Sequence, residues 1–324
     1  MSQKIVRSLI ALLFVSILIF GIFQVVGFAN RPLAEPLSLN TAPESMQTLP
    51  TATAEAKALD SSKKGTCGKT GSELILFIGT GVDGNVDNAD AVRFVKVDYD
   101  LVKITMVVIP RDLWVNSGDP TIGENKLGPV YHIKKAGTNG SEKHKDTVAT
   151  NLLAQILQDA FELTPDNYFS VDVLPWGEMV DTIGGVEVDL PAQFVTTDGT
   201  VLPAGRQLLN GEKSKDYVRM IAYGGDKGRV HRQNLYIKGL REKLLNLGII
   251  TKIPDLYKQF DKVITTDLTP KELVDLSCMV NTVPAEQIFT HEFTPDLITE
   301  RADGALLPNT EKIIAFLKEA LYLE

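Results

Sequence analysis

Histidine and cysteine are both scarce in this chain, four of the one and two of the other in 324 residues. The histidines are scattered and no HExxH occurs, so a histidine-based zinc site has no support in the sequence. Cys67 and Cys278 lie in neither CxxC nor metal-ligand spacing. A pair of cysteines is consistent with an oxidising compartment, and two readings stay open. Either one disulfide ties the start of a domain to its C-terminal part, or two thiols stay unpaired with Cys278 buried in a helix. An excess of positive charge is missing too. The formal net charge of -8 argues against a general nucleic-acid binder, whose surface must be basic to meet phosphates. It leaves room for a local basic patch, which would suit a small, highly charged anion. No internal repeat is present, and the length allows one large or two modest domains.

What is present begins with an apolar run. Lys4 and Arg7 precede residues 8–30, which carry no charge and are dominated by Leu, Ile, Val and Phe. The run is long enough to span a bilayer as a helix, and the basic flank keeps the N-terminus in the cytoplasm. Gly27-Phe28-Ala29 loosely resembles a signal-peptidase site, but the run exceeds a usual signal-peptide core. The expectation is an uncleaved signal-anchor over residues 1–30, giving a single-pass protein of the cell membrane with its domain extracytoplasmic. Residues 31–72, rich in Pro, Ala, Ser and Thr, read as a flexible tether. Residues 73–324 form the domain.

From Glu73 onward short β-like runs alternate with helical ones. LILFIG reads as a buried strand, AVRFVKVDY as a second and KITMVVIP as a third. Asp146 or Thr147 is placed to cap a helix that Thr164-Pro165 stops. NYFSVDVLP reads as a strand, WGEMVDTIG as a short helix and GGVEVDL as another strand, with helical stretches around 232–247, 270–281 and 309–321. This alternation predicts an α/β domain in three α-β-α layers around a central mixed sheet, preceded by the transmembrane helix.

The charged motifs sit at the ends of these elements. Gly79 to Gly84 match GxGxxG after a strand, but the loop runs on into another strand instead of opening a helix, so a dinucleotide site is excluded. The same stretch holds Asp83, Asp87 and Asp90, hard oxygen donors that suit magnesium or manganese. The third strand ends in Pro110-Arg111-Asp112, at the carboxyl edge where open α/β sheets place ligands. In GDKGRVHRQ, Arg229, Arg232 and Gln233 fall on one helical face beside Asp226. Guanidinium forks on one face suit phosphate or pyrophosphate, and acids that hold a divalent cation complete such a site.

The ordered set LILFIGTGVD, NADAV, VVIPRDLWV, VDTIGGVEVDL, LPAGRQLLNGEKSKDYVRM and GDKGRVHRQ, after an apolar anchor, resembles the LytR-CpsA-Psr family of bacterial cell-wall phosphotransferases. The resemblance is strong over roughly residues 73–247 and continues more weakly through ITTDLTPKELVDL. It implies a central sheet with flanking helices and a long apolar pocket for a polyisoprenyl chain. It implies transfer of a glycopolymer from a polyprenyl-pyrophosphate carrier to peptidoglycan or another envelope acceptor, forming a phosphodiester with Mg²⁺ (or Mn²⁺) assistance. By the same resemblance Asp83 and Asp90 would hold the cation and Arg111 would contact the phosphates. Arg219, Arg229, Arg232 and Gln233 would complete the anion cradle, while Asp112 and Asp226 would orient arginines or serve acid–base roles.

Several positions depart from the family pattern. Asn88 stands where a basic residue is usual, Ala89 and Ala91 replace Ser and Thr, Ile221 replaces a second arginine, and Ser214-Lys215 replace Ala-Leu. Arg93 and Lys126 are the candidates to compensate. The losses at Asn88 and Ile221 motivate one alternative, a non-catalytic polyprenyl-phosphate-binding protein; a further alternative is a polyprenyl-pyrophosphate pyrophosphatase.

Overall fold

The computed structural model of the chain describes residues 30–40, 66–83, 86–246 and 261–322. The expected anchor over residues 8–30 lies outside them but for Asn30, and no described helix is long and apolar enough to cross a membrane.

A six-stranded mixed sheet forms the centre, in the order β11-β6-β1-β2-β3-β12. β1 (Ser72–Asp83) and β2 (Val86–Asp98) form a long antiparallel pair, and β3 (Lys103–Ile109) returns antiparallel to β2. β6 (Asn167–Asp172) lies parallel to β1, β12 (Ile288–Glu292) parallel to β3, and β11 (Ile264–Thr266) antiparallel to β6. The carboxyl ends of β1, β3 and β6 therefore share one edge.

Alternation along the strands divides the core between two faces. Leu74, Leu76 and Ile78 of β1, with Val92 and Phe94 of β2 and Val107 and Ile109 of β3, pack under α1 (Leu127–Gly137), α2 (Glu142–Phe161) and α7 (Thr310–Ala320). On the other face Ile75, Val97 and Ile104 meet Met279 and Val283 of α6 (Pro270–Thr282) and the residue after it. The expected α/β fold with a central mixed sheet and helices on both faces is what is found.

A second cluster lies beside the sheet. Val180 and Ile183 at the end of α3 (Val173–Thr182) pack with Val186, Val188 and Leu190 of β7 (Val186–Leu190). Leu209 of β10 (Gly205–Leu209), Tyr217 of α4 (Gly211–Arg219) and Tyr236 of α5 (Gly225–Asn246) complete it. β7 thus pairs with β10 and stays out of the central sheet. Short hairpins are made by β4 (Trp114–Asn116) with β5 (Glu124–Lys126), β8 (Phe194–Val195) with β9 (Val201–Leu202), and β13 (Ile298–Glu300) with β14 (Leu306–Pro308).

The structure corrects several local expectations. α2 starts at Glu142, because Ser141 accepts a hydrogen bond from the His144 amide as its N-cap; Asp146 and Thr147 lie inside the helix. β6 ends at Asp172, whose side chain accepts from Leu174 N and opens α3, so Val173 to Pro175 are helical. Proline is tolerated there because first-turn amides have no helical acceptor. Part of the segment read as a flexible tether is bound. Leu37 N donates to Asp267 Oδ2, Ser38 N to Asn151 Oδ1 and Asn40 N to Gln155 Oε1, and Leu37 and Leu39 pack on the core. Cys67 and Cys278 form a disulfide, which joins the approach to β1 to α6.

Candidate active site

The register of the first hairpin creates the site. Gly79 pairs with Ala91 and Thr80 with Ala89, so Asp90 is the extra residue of a β-bulge. A bulge re-aims the side chain it carries. Asp90 accepts from Arg111 Nη1 at 2.5 Å and lies 3.4 Å from Arg229 Nη1. Opposite it in space, Gly81 has no side chain to spare. A Cβ there would stand 2.7 Å from Asp90 Oδ2 and 3.2 Å from Arg219 Nε. The missing side chain lets the Asp90 carboxylate and the Arg219 guanidinium lie close against the β1 backbone.

Three secondary-structure ends supply the arginines. Arg111 follows β3, Arg219 ends α4 and Arg229 lies in the first turns of α5. Asp226, also in the first turn of α5, bonds Arg229 Nη2 at 2.5 Å and stands 3.4 Å from Arg111 Nε. Asp112 lies 3.8 Å from Arg111 Nε and 3.2 Å from Lys126 Nζ. Six of the nine residues expected from the sequence therefore converge: Asp90, Arg111, Asp112, Arg219, Asp226 and Arg229.

Their electrostatics differ in a useful way. Arg229 is 1 % exposed, and burial pulls its guanidinium below the ordinary value; Asp226 opposes this and Arg111 adds repulsion. Burial also acts against Arg111, but Asp90, Asp226 and Asp112 outweigh it and hold its charge more firmly. Among the described residues, Arg229 Nε and Nη1 and Arg111 Nε are buried nitrogens without a hydrogen-bond partner. A buried donor left unbonded costs about 1–3 kcal/mol. Guanidinium donors without hydrogen-bond partners suit an anion with several oxygens.

Arg232 and Gln233 are placed elsewhere, which corrects their expected part in the cradle. Arg232 donates from Nε to Tyr217 O at 2.9 Å, from Nη1 to Tyr223 O at 2.8 Å and from Nη2 to Met220 O. The end of α4 and the turn after it leave carbonyls without helical donors, and this guanidinium supplies them. Gln233 donates to Val218 O at 3.1 Å and accepts from Arg93 Nη2 at 3.2 Å. Arg93, 1 % exposed, also donates to Asn234 Oδ1 at 2.6 Å. It is locked between β2 and α5 behind the cradle, whereas Lys126 reaches the cradle through Asp112. Asp87 is drawn off to Lys135 Nζ at 2.5 Å, and its amide donates to His132 Nδ1.

For a divalent cation the donor chemistry is right in kind, since the oxygens are carboxylates. Asp90 is the described residue that fits, its Oδ2 lying close against Gly81. Asp83 closes β1, and its side chain lies outside what the structure describes. Among the described residues no group of three or more His, Cys, Asp or Glu is arranged to hold a metal.

Sequence reasoning missed the bulge at Asp90 and the close approach of Asp90 to Gly81. A strand-pairing register has no local signature, although the glycine repeated at 79 and 81 was a signal that a backbone must be approached closely.

Known proteins share both sequence and fold. The chain is 28% identical over 247 residues to the polyisoprenyl-teichoic acid–peptidoglycan teichoic acid transferase TagU of Bacillus licheniformis, covering 74% of each protein. It is 32% identical over 212 residues to the cell wall biosynthesis protein LcpA of Corynebacterium glutamicum, covering 60% of this chain and 40% of that one. The crystal structure of Bacillus subtilis TagV superposes with a TM-score of 0.61 at 23% identity, over 79% of this chain and 99% of the other, which establishes the shared fold. The sequence profile of the LytR_cpsA_psr family matches residues 41–319, nearly the whole chain. The protein belongs to the LytR-CpsA-Psr family.

Proposed function

We propose that this protein is a membrane-anchored phosphotransferase that moves a glycopolymer from a polyprenyl-pyrophosphate carrier to peptidoglycan or another envelope acceptor. Family membership and relatives named as teichoic acid transferases support the general activity. The observation that carries the chemistry is the convergence of Arg111, Arg219 and Arg229 on Asp90, with buried guanidinium donors lacking hydrogen-bond partners on Arg111 and Arg229.

In the proposed reaction an acceptor hydroxyl oxygen attacks the phosphorus that bears the glycan. The bond from that phosphorus to the bridging oxygen breaks, and prenyl phosphate leaves with the electron pair. The product is a glycan–phosphate–acceptor phosphodiester. Arg111, Arg219 and Arg229 neutralise the non-bridging oxygens and the leaving phosphate, where preorganised charge is most effective. Asp226 fixes both Arg111 and Arg229, so their forks are set before substrate arrives. Asp112, against Arg111 and Lys126, is placed to take the hydroxyl proton. A magnesium ion held by Asp90, with Asp83, would supply further charge on the pyrophosphate. The apolar run at residues 8–30 would anchor the chain, with the domain outside the cytoplasm.

The test is incubation with a polyprenyl-pyrophosphate-linked saccharide and peptidoglycan fragments, in Mg²⁺ or in EDTA, followed by mass spectrometry. The expected product is a Mg²⁺-dependent glycan–phosphate–peptidoglycan adduct. Intact substrate co-eluting with the protein would instead establish a binding protein, and free phosphorylated glycan a pyrophosphatase.

A further inference from the structure

The first hairpin reaches beyond the sheet that carries it. Pairing of β3 with β2 stops at Ile109 opposite Val92, and pairing of β6 with β1 stops at Asp172 opposite Thr80. Residues 81–83 and 86–91 therefore project past both neighbouring strands, and Asp90 is among them. A backbone amide on the outer side of such a projection has no strand to receive it. The Asp87 amide donates instead to His132 Nδ1 of α1 at 3.1 Å, and Asp87 Oδ2 lies 2.5 Å from Lys135 Nζ. Lys135 also reaches Asp146 Oδ1 of α2 at 2.6 Å, so this clamp is fastened to the second helix as well.

His132 and Lys135 lie four and seven positions after Gly128, on one face of α1. That face spaces two parts of the cradle. Gly128 N donates to Arg111 O at 2.8 Å, and a Cβ on Gly128 would stand 2.9 Å from Ala89 O and 3.3 Å from Arg111 Cβ. One helix thus holds the backbone of Arg111 at its first turn and grips the hairpin that bears Asp90 further along. Asp90 Oδ1 and Arg111 Nη1, 2.5 Å apart, meet between these two points of attachment. Burial works against the Lys135 ammonium, but Asp146 and Asp87 outweigh it and raise it above its ordinary range, so the clamp keeps its charge. We propose that His132 and Lys135 are positioning residues, which hold the projecting hairpin against α1 so that Asp90 meets Arg111 and the arginines keep the spacing a pyrophosphate needs. The inference rests on the transferase reading for its consequence, weaker binding of a lipid pyrophosphate once the clamp is lost.

Hydrogen exchange reads the clamp directly, and calorimetry reads its consequence. In the full-length protein, His132→Ala and Lys135→Met should each speed amide exchange over residues 86–91 about tenfold, while the paired part of β2 that follows keeps its protection. Affinity for geranylgeranyl pyrophosphate should fall about tenfold in the same variants, equivalent to about 1.4 kcal/mol. His132→Asn, whose side-chain oxygen can accept from the Asp87 amide, and Lys135→Arg, which keeps the cation, should recover most of both. The proposal is overturned if exchange over residues 86–91 is unchanged in His132→Ala and Lys135→Met, or if exchange rises there and affinity stays at wild type. Faster exchange throughout the sheet that His132→Asn and Lys135→Arg fail to reverse would also overturn it, because these side chains would then serve the fold as a whole. Failure of the wild-type protein to bind geranylgeranyl pyrophosphate would count against the transferase reading, and exchange with its recovery in the conservative variants would still decide whether the clamp holds the hairpin.

Discussion

Arg229 and Arg232 sit less than one helical turn apart on α5, and both are buried, at 1 % and 6 % exposure. Their surroundings are opposite. Around Arg232 three backbone carbonyls from α4 and the following turn take the guanidinium donors, and the aromatic rings of Phe194 and Tyr217 flank it. Around Arg229 stand the carboxylates of Asp226 and Asp90, while its Nε and Nη1 have no hydrogen-bond partner. Burial pulls both guanidiniums below their ordinary value. The contrast is that the scaffold takes the donors of Arg232, whereas Arg229 keeps donors for the anion of the proposed reaction.

Arg229→Ala tests the contrast most strongly. Turnover should fall about 10²–10³-fold, the effect of losing a preorganised donor at developing charge, while the melting temperature stays near wild type because Arg111 still pairs with both Asp90 and Asp226. Unfolding of this variant would place Arg229 with the scaffold. Arg232→Ala should do the reverse, losing about 3 kcal/mol of stability through stranded carbonyls, read by urea denaturation. A stable Arg232→Ala protein that has lost substrate affinity would restore Arg232 to the cradle.

Gly81→Ala tests the close approach of Asp90 and Arg219 to the β1 backbone. Its Cβ would press on Asp90 Oδ2, and geranylgeranyl pyrophosphate affinity should drop about tenfold, or about 1.4 kcal/mol. Unchanged affinity would mean that the phosphate does not enter beside Gly81. The smallest effect concerns Arg93, which burial brings down from the ordinary guanidinium value to about 10, with Glu292 opposing and Arg229 adding to the shift. Above pH 10 the folded protein is expected to release this proton while the unfolded chain still keeps it, so rising pH favours folding through this group. Relative to Arg93→Met, wild-type stability should rise by no more than about 1 kcal/mol between pH 9.5 and 10.5. A flat difference across that range would mean that Arg93 titrates above the window.

Much of this was legible in the sequence, though unevenly. LILFIG and KITMVVIP read as strands because their apolar content and Pro110 leave few alternatives, and the motif order identified the family. The boundary at Asp172 was missed because VDVLP is as apolar as a strand, and only a side-chain cap reveals that the helix has begun. The bound segment at residues 30–40 was hidden because Pro, Ala and Ser composition describes backbone freedom and carries no record of acceptors supplied by Asp267 and Asn151. Ser141 lost out to Asp146 for the same reason, since both residue types cap helices equally well in the abstract.

The sequence by itself determined the alternation of strands and helices, the candidate anions and cations, and the family, because these depend on local side-chain character and order along the chain. Which cysteine reading holds, which aspartate is turned toward the arginines, and which arginines keep free donors were decided by tertiary structure alone. Those outcomes depend on a bulge in one strand pair, on the approach of α6 to Cys67, and on where α4 ends against α5. Each is a contact between segments far apart in the chain, and no local pattern encodes the distance between them.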